Sequence, residues 1–146
     1  MVSNLIARGM ELQKTTPTDE DIAELVGFRC LLETGDFEAT KSRHGIEKTA
    51  EGRWTFPWPE YHPVVDALFR AASKPCWTDF QYQARDPAQK LQQDDFIENA
   101  SLAKIRMPLT FCVRGERFCG GHRGAMIEAG YVLRILKRLE SLKADI

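Results

Sequence analysis

The feature that most constrains this chain lies near its end. Val132, Ile135, Leu136, Leu139 and Leu142 recur at helical spacing, while Arg134, Lys137 and Arg138 occupy the other side. A stripe of period 3.6 predicts an amphipathic helix, and such a helix is marginal in water until its apolar face is covered. The rest of the chain must therefore supply a surface for it. Three upstream stretches carry the same period. Ser3 caps a predicted first helix with Leu5, Ile6, Met10 and Leu12, ended by Pro17. Thr18 is placed as the N-cap of a second, with Asp19, Glu20 and Asp21 where the helix dipole favours acids. That helix is expected to run through Ile22, Leu25, Val26, Phe28 and Leu32 to Gly35 as its C′ residue. Arg29 falls inside its apolar arc, and is read as laying its stem on the core and pairing with Glu33 rather than binding an anion. Pro63 suits a first helical turn, followed by Val64, Val65, Leu68, Phe69 and Ala72 and stopped by Pro75.

Residues 36–59 read as a long loop, with His44 as a solvated turn histidine. It closes in Trp54-Thr55-Phe56-Pro57-Trp58-Pro59, where the prolines require extended or polyproline backbone. Eight of the fourteen aromatics fall between Trp54 and Tyr82. Exposed, Trp54, Trp58 and Trp77 would form a stacking surface; a core beneath the loop is the preferred reading. Asp86-Pro87 opens a short predicted helix ending near Gln93.

From Ser101, Leu102, Ile105, Leu109, Cys112 and Val113 form a helical stripe, with Pro108 predicting a kink or a new start. Leu109, Phe111 and Val113 also alternate, so a short β-hairpin at 109–119 turning at Arg114-Gly115-Glu116 competes with the helix. The helix is preferred because Leu102 and Ile105 extend its stripe. Cys119-Gly120-Gly121 breaks the pattern, a helix starts near His122 or Arg123, and Gly130 interrupts it. Lys137, Glu140 and Lys143 are expected to pair along the final helix.

At 146 residues with 43% apolar and 28% charged side chains, the chain reads as one mainly α domain over 1–146. About six helices and the aromatic, proline-containing loop are expected. No apolar run reaches the roughly 18 residues of a membrane span, and no basic-then-apolar leader opens the sequence. Cys30, Cys76, Cys112 and Cys119 are too few for a disulfide scaffold. A cytoplasmic protein with reduced thiols and no membrane contact is expected.

The formal net charge of −1 hides a split: residues 1–100 carry 11 basic and 17 acidic side chains, and residues 101–146 carry 9 and 4. The basic end points to an anionic partner, to a protein partner or second copy, or to the acidic part of its own chain. A pI of 6.3 makes nucleic acid the weaker choice.

The sharpest constellation is Arg114, Glu116, Arg117, His122 and Arg123 around Gly120-Gly121. Successive glycines let backbone N–H groups converge as a nest, and a following helix start adds positive potential. Arg114, Arg117, Arg123, His122, Gly120 and Gly121 are thus the candidate site for a phosphate or carboxylate. The competing reading is a helix–helix corner in which the arginines meet acids of the chain itself. Cys119 beside His122 lacks the cross-fold pairing of cysteine hydrolases. The cysteine gaps of 46, 36 and 7 residues do not fit a zinc site. No phosphate-binding loop, dinucleotide fingerprint or nucleophile elbow occurs. Neither metal nor cofactor is expected, and no catalytic residue can be assigned.

Leu109-Thr110, Arg114-Gly115-Glu116-Arg117-Phe118, Gly121-His122, Gly130 and Ile135-Leu136-Lys137-Arg138-Leu139 together resemble a bacterial domain family of unknown function. Its run reads LT…VRGERF…GH…ILxRL, and Gly120 departs from the acidic residue that pattern carries. The resemblance implies a bacterial source and lends no activity. Three functions stay open: a non-catalytic binding or accessory module using the basic end, a small enzyme on a phosphate- or carboxylate-bearing substrate, or a nucleic-acid binder.

Overall fold

The computed structural model describes residues 16–34, 40–44, 47–55, 58–80, 91, 93, 95–117 and 119–144. The expected first helix with Leu5, Ile6, Met10 and Leu12, the Gly35 cap, and most of the short helix after Asp86 lie outside the described residues.

Helix α1 (Asp19–Val26) begins as its sequence dictates. The Thr18 Oγ1 accepts from the Asp21 N–H at 3.2 Å, and the Thr18 N–H donates to the Asp21 carboxylate at 2.9 Å, a reciprocal capping box. The expected single helix through Leu32 is instead two. Gly27, the residue with most backbone entropy to lose, ends α1, and the Phe28 N–H tightens onto the Leu25 carbonyl at 3.0 Å. Helix α2 (Arg29–Thr34) then follows.

The segment read as loop holds two short antiparallel pairs. Strand β1 (Thr40–His44) pairs with β4 (Trp58–Tyr61), and nested inside it β2 (Glu47–Lys48) pairs with β3 (Trp54–Thr55). His44 stands opposite Trp58 in the outer pair rather than in a turn, and Thr40 stands opposite Tyr61. The extended backbone demanded by Pro59 is met within β4.

Helix α3 (Pro63–Ala72) starts with Pro63 at its first position and His62 as cap, the imidazole Nδ1 accepting from the Val64 N–H at 3.1 Å. A 3-10 turn, Pro75–Trp77, follows. Helix α4 (Leu102–Arg114) is capped by Ser101 and continues through Pro108 without a new start. The alternative hairpin at 109–119 does not form. Ile105, Leu109 and Cys112 are buried on one helical face, a set that strand geometry would divide between two sides. The 3-10 turn Gly115–Arg117 leads to the corner, then α5 (His122–Glu128) and α6 (Tyr131–Ala144). The molecule is mainly helical.

Helix α6 packs against α1, α2, α4 and α5. Its Val132, Ile135, Leu136 and Leu139 are buried in one core with Ile22, Leu25, Val65, Leu68, Phe69, Trp77, Ile97, Ile105, Leu109 and Cys112. Each large aliphatic so placed contributes roughly 1.5–3 kcal/mol of transfer free energy. Trp77 and Phe69 are core residues, while Phe80 is 64% exposed; the side chains of Trp54 and Trp58 lie outside the described set. Among the described residues no helix is long and apolar enough to cross a membrane.

Candidate functional site

The corner between α4 and α5 is built on two glycines. Gly121 has φ +94°, a left-handed conformation that L side chains rarely adopt, and this turns the chain into α5. Gly115 gives room instead: a Cβ there would lie 2.2 Å from His122 Nε2. Through that gap His122 reaches the Phe111 carbonyl at 3.0 Å, and its ring stands edge-on to Phe111 with centroids 4.9 Å apart. His122 is thereby the bolt that fastens the corner to α4.

Two backbone amides of the corner converge on an acid of the chain itself, and they are those of Gly121 and Arg123 rather than of Gly120 and Gly121. The Gly121 N–H donates to Glu116 Oε2 at 2.8 Å and the Arg123 N–H donates to Oε1 at 2.9 Å. The Tyr61 hydroxyl donates to the same Oε1 at 2.6 Å and itself accepts from the Gly124 N–H at 3.3 Å. Burial alone would push the Glu116 carboxyl upward; the Tyr61 bond, the two amides and the Arg123 charge outweigh it and hold the acid below its usual range. Burial first, then the Glu116 bond, pushes the Tyr61 phenol up to about 12.

Immediately beside this lock opens a cleft of roughly 140 Å³ lined by Arg114, Arg117, Arg123, Ser73, Thr78 and Thr110. Three of the six candidate residues, Arg114, Arg117 and Arg123, meet here. His122, Gly120 and Gly121 are not part of its lining. Arg114 and Arg117 are three apart and share a side; Arg123 arrives from α5. The Arg123 guanidinium is fixed by Nε donating to the Val113 carbonyl at 3.2 Å and by stacking 5.1 Å from the Phe69 ring centroid. Arg117 is exposed and makes no hydrogen bond or ion pair among the described residues. The lining has no carboxylate.

Three cations of α6 meet partners within the chain. Arg134 grips Glu98 with two bonds of 2.7 and 2.9 Å, Lys137 lies 3.4 Å from Glu33, and Arg138 donates to the Ala100 carbonyl at 2.8 Å. Arg29 pairs with both Glu33 and Glu140, so it is a structural cation. The expected pairing within the last helix is replaced by pairing between helices, which ties α6 to α2 and to the segment before α4.

Sequence reasoning passed over Tyr61 as one aromatic among many, met Thr110 only within the Leu109-Thr110 run, and passed over Ser73 and Thr78 entirely. Tyr61, Ser73 and Thr78 carry no local signal, since each reaches the arginines from more than 30 residues away, whereas Thr110 lies about one turn before Arg114 on α4.

The sequence model of a family of unknown function (DUF6508) matches residues 17–145. The chain belongs to DUF6508. The matched span includes the whole corner, the cleft and Tyr61, so every residue of the site is part of the DUF6508 domain. The resemblance to an uncharacterised domain family is thus met at the level of the family. No curated protein and no solved structure matches the chain. Among the described residues no group of three or more His, Cys, Asp and Glu could hold a metal ion.

Proposed function

We propose that this DUF6508 chain is a non-catalytic binding module that takes the oxyanion of a ligand, phosphate or carboxylate, in the Arg114–Arg117–Arg123 cleft. The observation that carries this reading is the make-up of the cleft lining. Guanidiniums of three residues line one cleft whose lining has no carboxylate, and Arg117 among them makes no hydrogen bond or ion pair among the described residues. Guanidinium groups supply directed, charge-assisted donors to oxyanions, and a small cleft suits a single anionic group better than an extended chain.

The chemistry of the neighbouring groups supports binding over catalysis. Proton transfer at neutral pH needs acids and bases tuned toward 7. Here Glu116 is held low and Tyr61 is held high, so both are fixed in their ordinary charge states. His122 spends Nε2 on Phe111. A bacterial, cytoplasmic setting accords with the family resemblance and with the unpaired Cys30, Cys76, Cys112 and Cys119.

The experiment is a thermal-shift and calorimetric titration with inorganic phosphate at low ionic strength. Phosphate is expected to raise the melting temperature of the chain and to lose that effect in Arg117→Ala. A titration in which the two proteins respond alike refutes the reading.

A further inference from the structure

We infer that the cleft selects a hydroxylated phosphomonoester: a phosphate head on the arginines with adjacent hydroxyls that donate to Ser73 and Thr78. This deepens the binding-module reading and rests on it. The inference comes from how the hydroxyl hydrogens on the lining are spent. A hydroxyl has one hydrogen to give and two lone pairs. Ser73 Oγ donates to the Phe69 carbonyl at 2.5 Å, and Thr78 Oγ1 donates to the Lys74 carbonyl at 3.1 Å. Thr110 Oγ1 donates to the Trp77 carbonyl at 3.4 Å and accepts from the Asp79 N–H at 2.9 Å. All three therefore face a ligand without a hydrogen to offer, and Thr110 is already engaged on both counts. Ser73 and Thr78 keep lone pairs only.

The lining is thus divided by polarity. Arginines can only donate, because guanidinium has no acceptor; the two free hydroxyl oxygens can only accept. A bare oxyanion satisfies the first set and is repelled by the second. An ammonium would donate to the hydroxyls and yet suffer the three guanidiniums beside it. A neutral hydroxyl next to the anion meets both sets at no electrostatic cost. Guanidiniums of three residues line the cleft, and the three terminal oxygens of a phosphate can take donors from all of them where a carboxylate has two, which favours phosphate as the head.

The test compares sn-glycerol 3-phosphate with n-propyl phosphate, which has the same charge and chain length and lacks the hydroxyls, by calorimetry on the full chain. One neutral hydrogen bond corresponds to roughly 2- to 12-fold in affinity. Glycerol phosphate, which has two hydroxyls to give, is therefore expected to bind roughly 4- to 150-fold tighter, with glycerate, a hydroxylated monoanion, weaker than glycerol phosphate. In Ser73→Ala and Thr78→Val, with folding checked by circular dichroism, glycerol phosphate is expected to fall toward propyl phosphate, whose own affinity stays constant. Equal affinities for the two phosphates in the wild type overturn this inference and leave oxyanion binding standing. Selectivity that survives both substitutions overturns the assignment to these hydroxyls, and glycerate binding as tightly as glycerol phosphate overturns the phosphate head. No binding of any probe, with no response to inorganic phosphate, overturns both readings.

Discussion

Replacing Glu116 by glutamine keeps the shape of the corner and removes its charge. The carboxylate accepts three bonds, from Tyr61 at 2.6 Å, Gly121 at 2.8 Å and Arg123 at 2.9 Å. A hydrogen bond to a charged partner is worth about 1.5–3 kcal/mol net when well buried. Glu116 is only half-buried, so solvent screening reduces each. Glutamine also turns one carboxylate oxygen into an amide nitrogen that faces a donor. We expect a loss of about 2–3 kcal/mol for Glu116→Gln at pH 7, or roughly 6–12 °C in melting temperature for a domain of this size. The pH dependence has a definite sign. A carboxyl held below its ordinary 4.5 stabilises the fold above that value, and this contribution disappears as pH falls below 4.5 through the depressed folded-state value. Urea denaturation of both proteins between pH 7 and pH 3 should therefore show a gap that is constant above pH 5 and closes toward pH 3. A gap under about 0.5 kcal/mol at pH 7, or one that widens on acidification, would mean the carboxylate does not hold the corner.

Gly115→Ala places a methyl 2.2 Å from the His122 ring, so the ring must leave the Phe111 carbonyl; equilibrium unfolding should report a loss of about 1–3 kcal/mol. Because burial drives the Cys112 thiol up to about 12 and raises Cys76 as well, only the exposed Cys30 and Cys119 should react quickly with a disulfide reagent in the folded chain. The other two should appear on adding denaturant, and four fast thiols would contradict the packing. Spectroscopic titration compared with Tyr61→Phe should find Tyr61 still protonated at pH 11, with its contribution to stability intact below pH 10 and fading toward about 12.

What could be read from the sequence was local. The Thr18–Asp21 box, Pro63 at a helix start, the break at Gly121 and the α6 stripe each follow from residues within a turn or two, and each stands where expected. The convergence of amides at this corner was legible in part: Gly121 contributes its N–H as expected, and Arg123 rather than Gly120 supplies the second. Its occupant was not. Glu116 accepts from two amides five and seven residues away, but its third donor, Tyr61, comes to the corner on β4 from 55 residues away, a non-local event with no mark in the residues near Gly121. The division of the six candidates has a geometric cause. Consecutive helical residues point about 100° apart, so His122 and Arg123 diverge by necessity although they are neighbours in sequence. Arg114 and Arg117, three apart, stay together. Loop composition concealed the strand pairs because strands of two to five residues are too short to show the alternation that marks a half-buried sheet.

The charge split of the chain is not one property, and substitution at two arginines should separate its parts. Arg134 spends its guanidinium on Glu98, and a partly exposed pair of this kind is worth about 0.2–1 kcal/mol. Its loss should lower stability by that amount and leave phosphate binding alone. Arg117 makes no such contact, so Arg117→Ala should leave the unfolding free energy within about 0.5 kcal/mol while removing the phosphate response. A uniformly basic surface would produce the opposite pattern: each substitution would weaken phosphate binding by the same modest factor, since distant exposed charges act only through a screened common field. Equal effects at Arg134 and Arg117 would therefore assign the positive end to a diffuse field, and unequal ones to a cleft. The pairing of Arg134, Lys137 and Arg138 within the chain, against the lone Arg117, argues for the cleft.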